Sequence, residues 1–236
     1  MAWFRIQPDR DETMEETLGD VLFEMAYYVM LVFLGLLPVT NPFSTAPAFV
    51  ALTAGMTEDE RGQIASTACV YMSAILLVFL LTGAVILTFF GITVPALRVA
   101  GGLIIGYIGF RMLFPADSAG DASDIAAQAG RRRSIAFMPL AMPLLSGPGS
   151  IAVVIGMSVE VVESPTVIED ILGYIVVALG IIGTAFVCWL VLKAAGRITR
   201  FLGATGIDVL TRLMGFFLIA IAVQFIDAGF GGVLAQ

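Results

Sequence analysis

Histidine is absent from all 236 residues. Its absence removes the commonest metal ligand and the side chain most often used to move protons near neutral pH. Cysteine is almost absent: Cys69 and Cys188 each lie inside an apolar run. Neither their spacing nor their setting resembles a metal site, so both are expected to pack as small core residues. Charge is scarce, at 13% of residues with a net −7, and there is no basic patch of the kind that follows a nucleic-acid backbone. No apolar run carries a central lysine or paired carboxylates. An intramembrane hydrolase would need a nucleophile with its base, or a metal with its ligands. Ser146 in "SGPGS" lacks the residue order of a nucleophile elbow, so neither an enzyme nor any metal or organic cofactor is expected.

What the chain has instead is apolar length. It is 59% hydrophobic, where soluble domains are about half apolar and about a quarter charged. Its apolar runs reach the 18 or so residues that mark membrane spans. Six spans are expected, near residues 21–55, 64–90, 95–114, 135–158, 168–192 and 209–228. As one helix the first would be about 50 Å long against a hydrocarbon core of about 30 Å, so it must tilt, unwind or lie along the interface. Asp9, Asp11, Glu12, Glu15, Glu16 and Asp20 make residues 1–20 an acidic tail without the pattern of a secretory signal. "MTEDER" (56–61) carries a capping box, Thr57 with Glu60, that should start the second span. Residues 115–134 read as a flexible linker between two halves, 21–114 and 135–228, and 229–236 as a C-terminal tail.

Basic residues set the expected orientation. Arg61, Arg131, Arg132, Arg133, Lys193, Arg197 and Arg200 fall in the first, third and fifth connections, while the other side has Arg5 and Arg10, with Arg98 at a span edge. The positive-inside rule then puts those connections in the cytoplasm and both termini outside.

The two halves share a rhythm. Prolines at 38, 42 and 47 are matched by prolines at 139, 143 and 148, and "LRVAGGLIIGYIGF" (97–110) is matched by "TRLMGFFLIAIAVQF" (211–225). Each of these apolar runs follows a Phe-x-Gly turn and begins beside an arginine, Arg98 or Arg212. Three spans per half is an odd number, so the second copy must cross in the opposite sense, a recurring plan of secondary transporters. The expected fold is all-α and polytopic, with six transmembrane helices as two inverted three-helix repeats whose first and fourth helices are discontinuous.

A proline inside a helix costs about 3 kcal/mol or more, and backbone groups freed in hydrocarbon cost several more unless protein or a water-filled cavity satisfies them. In "LPVTNPFSTAP" (37–47) Thr40, Asn41, Ser44 and Thr45 can serve that need; in "MPLAMPLLSGP" (138–148) and just beyond, Ser146 and Ser150 can. Asn41 before Pro42, Thr45 before Pro47 and Ser146 before Pro148 read as N-caps of half-helices, whose free amides make anion sites. Gly147 and Gly149 would let a ligand approach bare backbone. The expected site draws on Thr40, Asn41, Pro42, Ser44 and Thr45 of the first break and Ser146, Gly147, Pro148, Gly149 and Ser150 of the second. It suits a small zwitterion, held where the two breaks face each other.

Of the charges at span edges, Glu24, Arg98, Arg111, Arg212 and Asp227, all can be interfacial. Arg98 and Arg212 are also gating candidates, and Asp227 and Glu24 candidates for ion coupling. Polarity confined to two short breaks favours a closed, alternating-access site over a continuous pore.

The segments "LPVTNPFSTAPAFVALTAGMTEDER", "FGITVPALRVAGGLIIGYIGFRMLFP", "AFMPLAMPLLSGPGSIAVVI" and "TRLMGF" resemble the MarC family of bacterial inner-membrane proteins. The resemblance runs from about residue 22 to 228. It implies six spans with periplasmic termini, inverted three-helix repeats, and a neutral amino-acid transporter for substrates such as glycine and alanine. Coupling to H+ or Na+ stays open, as do substrate, direction and oligomeric state. The alternatives are an exporter of other small polar metabolites or drugs, a non-selective channel, and a helper subunit. The partners expected are the substrate and the lipid bilayer.

Overall fold

The computed structural model describes residues 14–114, 135–162 and 167–234, and among these there is no strand. The linker expected at 115–134 lies outside the described residues. Eight helical segments follow in order: α1 (Met14–Thr40), α2 (Pro42–Leu52), α3 (Glu58–Phe90), α4 (Val94–Leu113), α5 (Ala136–Leu145), α6 (Pro148–Val162), α7 (Val167–Lys193) and α8 (Ala195–Leu234).

Their ends are written in local chemistry. Asn41 closes α1 in the left-handed region (φ 38°, ψ 66°) and opens α2, where its side chain accepts from Ser44 N–H at 3.3 Å and Pro42 takes the first position. The capping box is formed: Thr57 Oγ1 accepts from Glu60 N–H at 3.3 Å while Glu60 accepts from Thr57 N–H at 2.9 Å. Gly91 (φ 65°) ends α3, and Thr93 caps α4 through Ala96 N–H at 3.4 Å. In α5 the chain winds in wide π-type turns, with Met138 and Met142 extended (φ −126° and −129°). Each precedes a proline, whose ring pushes the residue before it out of the helical region.

Five helices among the described residues are long and apolar enough to cross a membrane, and the stretch expected as a discontinuous fourth span, 135–158, is broken into the pair α5 and α6. Its prolines divide it into pieces too short to cross alone. The connection expected at 193–208 is helical, interrupted at Gly203 (φ 62°, ψ −177°), and α8 then runs to Leu234 through most of the expected tail. At the other end α1 starts at Met14, so Glu15, Glu16 and Asp20 belong to a helix.

The tightest packing is between α4 and α8, which run antiparallel along a seam of small residues. A β-carbon on Gly102 would meet Ile226 and the Ala222 carbonyl; one on Gly109 would meet Leu218 and the Gly215 carbonyl; one on Gly229 would meet Val99 and the Pro95 carbonyl. Small residues let two backbones approach this closely, which supplies much of the association energy where water provides no hydrophobic drive. Around this pair the packing is reciprocal: α1 lies on α7 as α5 lies on α3, and α2 lies on α8 as α6 lies on α4. Leu36, Met72, Leu76, Leu80, Leu140 and Ile181 fill the shared core, fully buried. Phe23, Leu81, Phe89 and Val223 stand exposed on the outside, as an apolar solvent requires.

Candidate functional site

The two breaks meet. A β-carbon on Gly149, in the first turn of α6, would lie 3.1 Å from Val39 of α1, 3.4 Å from Ile108 and 3.6 Å from Ile105 of α4. What joins the breaks at this point is apolar packing rather than an open polar chamber.

Most hydroxyls of the expected site are engaged by their own backbone. Thr40 donates to Leu37 O (3.2 Å) and Thr45 to Asn41 O (3.2 Å). Ser146 donates to Ala141 O (2.6 Å), and Ser150 to Leu145 O (3.3 Å). Leu37 O, Asn41 O and Ala141 O also accept the backbone N–H of Asn41, Thr45 and Ser146, so what these bonds satisfy is the buried hydroxyls themselves. The same bonds correct the capping expectation. Thr45 sits inside α2, where Asn41 has already started the helix, and Ser146 turns back to Ala141 instead of capping α6.

The breaks differ in what they leave available. In α2 the Ser44 amide is taken by the Asn41 side chain. In α6 the first ladder bond is Ile151 N–H to Gly147 O at 3.1 Å, and Pro148 has no N–H. The amides of Gly149 and Ser150 therefore lie outside the helix ladder, and Gly147 has no side chain to cap them. Gly149 and Ser150 are buried and Gly147 is half-buried, while Pro148 is exposed.

Asn41 and Ser44 reach further. Asn41 Nδ2 donates to Ser44 Oγ (2.6 Å) and lies 3.5 Å from Met112 Sδ of α4. Ser44 Oγ shares a hydrogen bond with Thr211 Oγ1 of α8 at 2.9 Å. Sequence reasoning missed Met112 and Thr211. Only the neighbourhood of Arg212 in a matched motif hinted at Thr211, and nothing local signals Met112.

Both also line a cavity of about 610 Å³ between Pro47 of α2, the last turns of α4 (Tyr107, Ile108, Arg111) and the part of α8 just past Gly203 (Ile207, Asp208). Ile108 belongs to this wall and also touches the Gly149 position, so it stands between the cavity and the second break.

Of the gating and coupling candidates, Arg212 meets the cavity wall through Asp208, while Arg98 and Asp227 lie elsewhere along α4 and α8. Arg212 is exposed on α8, where Nε pairs with Asp208 at 2.9 Å and another guanidinium N–H donates to Leu113 O at the end of α4 (3.2 Å). Arg98 is half-buried early in α4, and Asp227 is exposed near the end of α8. Glu24 is half-buried in α1.

Comparison with known proteins adds a family. The family model described as "MarC family integral membrane protein" matches residues 26–234. The curated protein "UPF0056 inner membrane protein MarC" of Escherichia coli strain K12 is 39% identical over 199 residues, covering 82% of this chain and 90% of that protein. The protein of the same name from Shigella flexneri matches with the same identity and coverage. No solved structure matches the chain.

Proposed function

The chain belongs to the MarC family of integral membrane proteins, and on that footing we propose that it is a secondary transporter of small neutral amino acids, of the glycine or alanine type. The names of its relatives support a bacterial inner membrane, and the distribution of basic residues supports periplasmic termini. The antiparallel α4–α8 seam and the reciprocal packing support reading the two halves as inverted copies.

The observation that carries the reading is the tie from the first break to the opposite half. Asn41 and Ser44 bond to each other and reach Met112 and Thr211 at the wall of a cavity. A substrate that displaces these mutual bonds meets the Asn41 amide and two hydroxyls, all able to donate or accept. The Gly149 and Ser150 amides at the start of α6 suit its carboxylate. Its ammonium suits backbone carbonyls left without a ladder partner by the prolines. In this reading the cavity is the access route from one side, and Val39 with Ile108 closes the path to the second break. Transport then needs those two side chains to move. The reading includes no covalent step, no metal and no organic cofactor; coupling to H+ or Na+ belongs to the proposal as an open choice.

One observation favours a second reading. The cavity wall is mostly apolar, with Pro47, Tyr107, Ile108, Met112 and Ile207, which suits export of a less polar metabolite or drug. A thermal-shift screen of the purified protein separates the two. Glycine and alanine should raise the unfolding midpoint more than leucine does, and Asn41→Gly should remove the effect. Stabilisation by apolar amines or drugs with none by any amino acid would replace the first reading by the second.

A further inference from the structure

One exposed line of side chains on α7 changes character along its length. Ile175, Leu179, Ile182 and Phe186 recur at helical spacing and are all exposed. Phe186 then stacks beside Trp189, ring centroids 5.8 Å apart, and Lys193 Nζ sits 4.8 Å over the Trp189 ring. Arg197 and Arg200 continue the line four and seven residues past Lys193, into the first turns of α8, and all three cations are exposed. Beside them Phe201 is 89% exposed.

This is the order of materials found across half a bilayer: apolar side chains against lipid tails, aromatic rings at the headgroup boundary, cations beyond it. No acidic residue occurs between Asp170 and Asp208. Asp208 is engaged by Arg212, and among the described residues none of the three cations pairs with a carboxylate. Seven residues of helix spread the charges over about 10 Å, the scale of neighbouring headgroups rather than of one small anion.

We propose that Lys193, Arg197 and Arg200, anchored by Trp189 and Phe201, form a docking stripe for the phosphates of anionic phospholipids in the leaflet reached by the end of α7. Two other occupants fit less well. Residues 115–134 carry three aspartates but also three arginines, so the linker has no net charge to bring. Free phosphate would make no use of the apolar line or of Phe201.

The test is the thermal midpoint of the full-length protein in neutral detergent, with phosphatidylglycerol, phosphatidylcholine or inorganic phosphate added. Phosphatidylglycerol should raise the midpoint, the other two should not, and the rise should shrink as salt screens the charges. In a Lys193→Gln, Arg197→Gln, Arg200→Gln variant the rise should fall by at least half while the lipid-free midpoint stays in place. If that variant does not fold, Arg200→Gln alone should lose part of the rise. Equal stabilisation by phosphatidylcholine or by phosphate overturns the proposal, as does a phosphatidylglycerol effect that survives the substitutions or high salt.

Discussion

Gly149 and Val39 hold the two breaks together: a β-carbon on the glycine would lie 3.1 Å from Val39 Cγ1. That separation is tight, but the obstacle is the end of one side chain. Gly149→Ala should therefore fold, with Val39 yielding by a few tenths of an ångström. Gly149→Leu should destabilise by about 1–3 kcal/mol through overpacking. Val39→Ala should recover part of that loss, because the two residues share one space. Unfolding midpoints of the two singles and the double measure the coupling. Strict additivity would mean that the breaks do not meet there.

The α4–α8 seam gives a sharper expectation. At Gly109 and Gly215 an added β-carbon would lie 2.8 Å from the other residue's carbonyl oxygen, so backbone rather than a movable side chain stands in the way. Either glycine changed to valine should force the helices apart and lose most folded protein. At Gly196 nothing lies within 4 Å, and the same change there should be mild. Yields of monodisperse protein after purification compare the three.

Asn41 combines two tasks that substitution can separate. Its backbone has positive φ and its side chain caps α2. Alanine should lose both, costing about 1–2 kcal/mol for the cap and about 1 kcal/mol or more for the left-handed backbone. Glycine adopts that backbone freely and costs only a few tenths at a cap. Asn41→Gly should thus remain folded but lose the contacts to Ser44 and Met112 and, with them, substrate binding. If Asn41→Gly binds as the parent does, the Asn41 side chain is not part of the site.

Arg212 serves the end of α4 more than it serves its ion pair. The pair with Asp208 is about half exposed on both sides, and such pairs are worth about 0.2–1 kcal/mol. Asp208→Asn should barely move stability. Arg212→Ala also removes the donor to Leu113 O, a cation placed at a helix C-terminus. Hydrogen exchange should show the last turn of α4 opening more often in Arg212→Ala than in Asp208→Asn. Equal exchange in the two would assign the effect to the ion pair alone.

The sequence was most legible where a residue type permits few conformations. The proline triplets mark both breaks, Thr57 with Glu60 marks the start of α3, and the two Phe-x-Gly turns fall on Gly91 and Gly203, whose φ values are 65° and 62°. Hydropathy located apolar length but not helix length. Residues 193–208 look like a loop because they are charged and rich in glycine, yet the helix resumes at Ala195 and only Gly203 interrupts it. The capping roles expected of Thr45 and Ser146 failed because hydroxyls near a break have two outlets, a free amide ahead or a carbonyl behind, and both took the carbonyl. Thr211 and Met112 could not be found locally at all. Thr211 lies 167 residues from Ser44, and only the packing of α2 on α8 brings them to 2.9 Å.

Exchange of labelled glycine or alanine into proteoliposomes preloaded with the same unlabelled amino acid is the most direct trial of the carrier reading. Uptake should saturate with external substrate, require the internal pool, and disappear in Asn41→Gly at unchanged reconstitution. Flux that rises linearly without saturation, ignores the preloaded pool and persists in that variant would contradict a gated site between the two breaks.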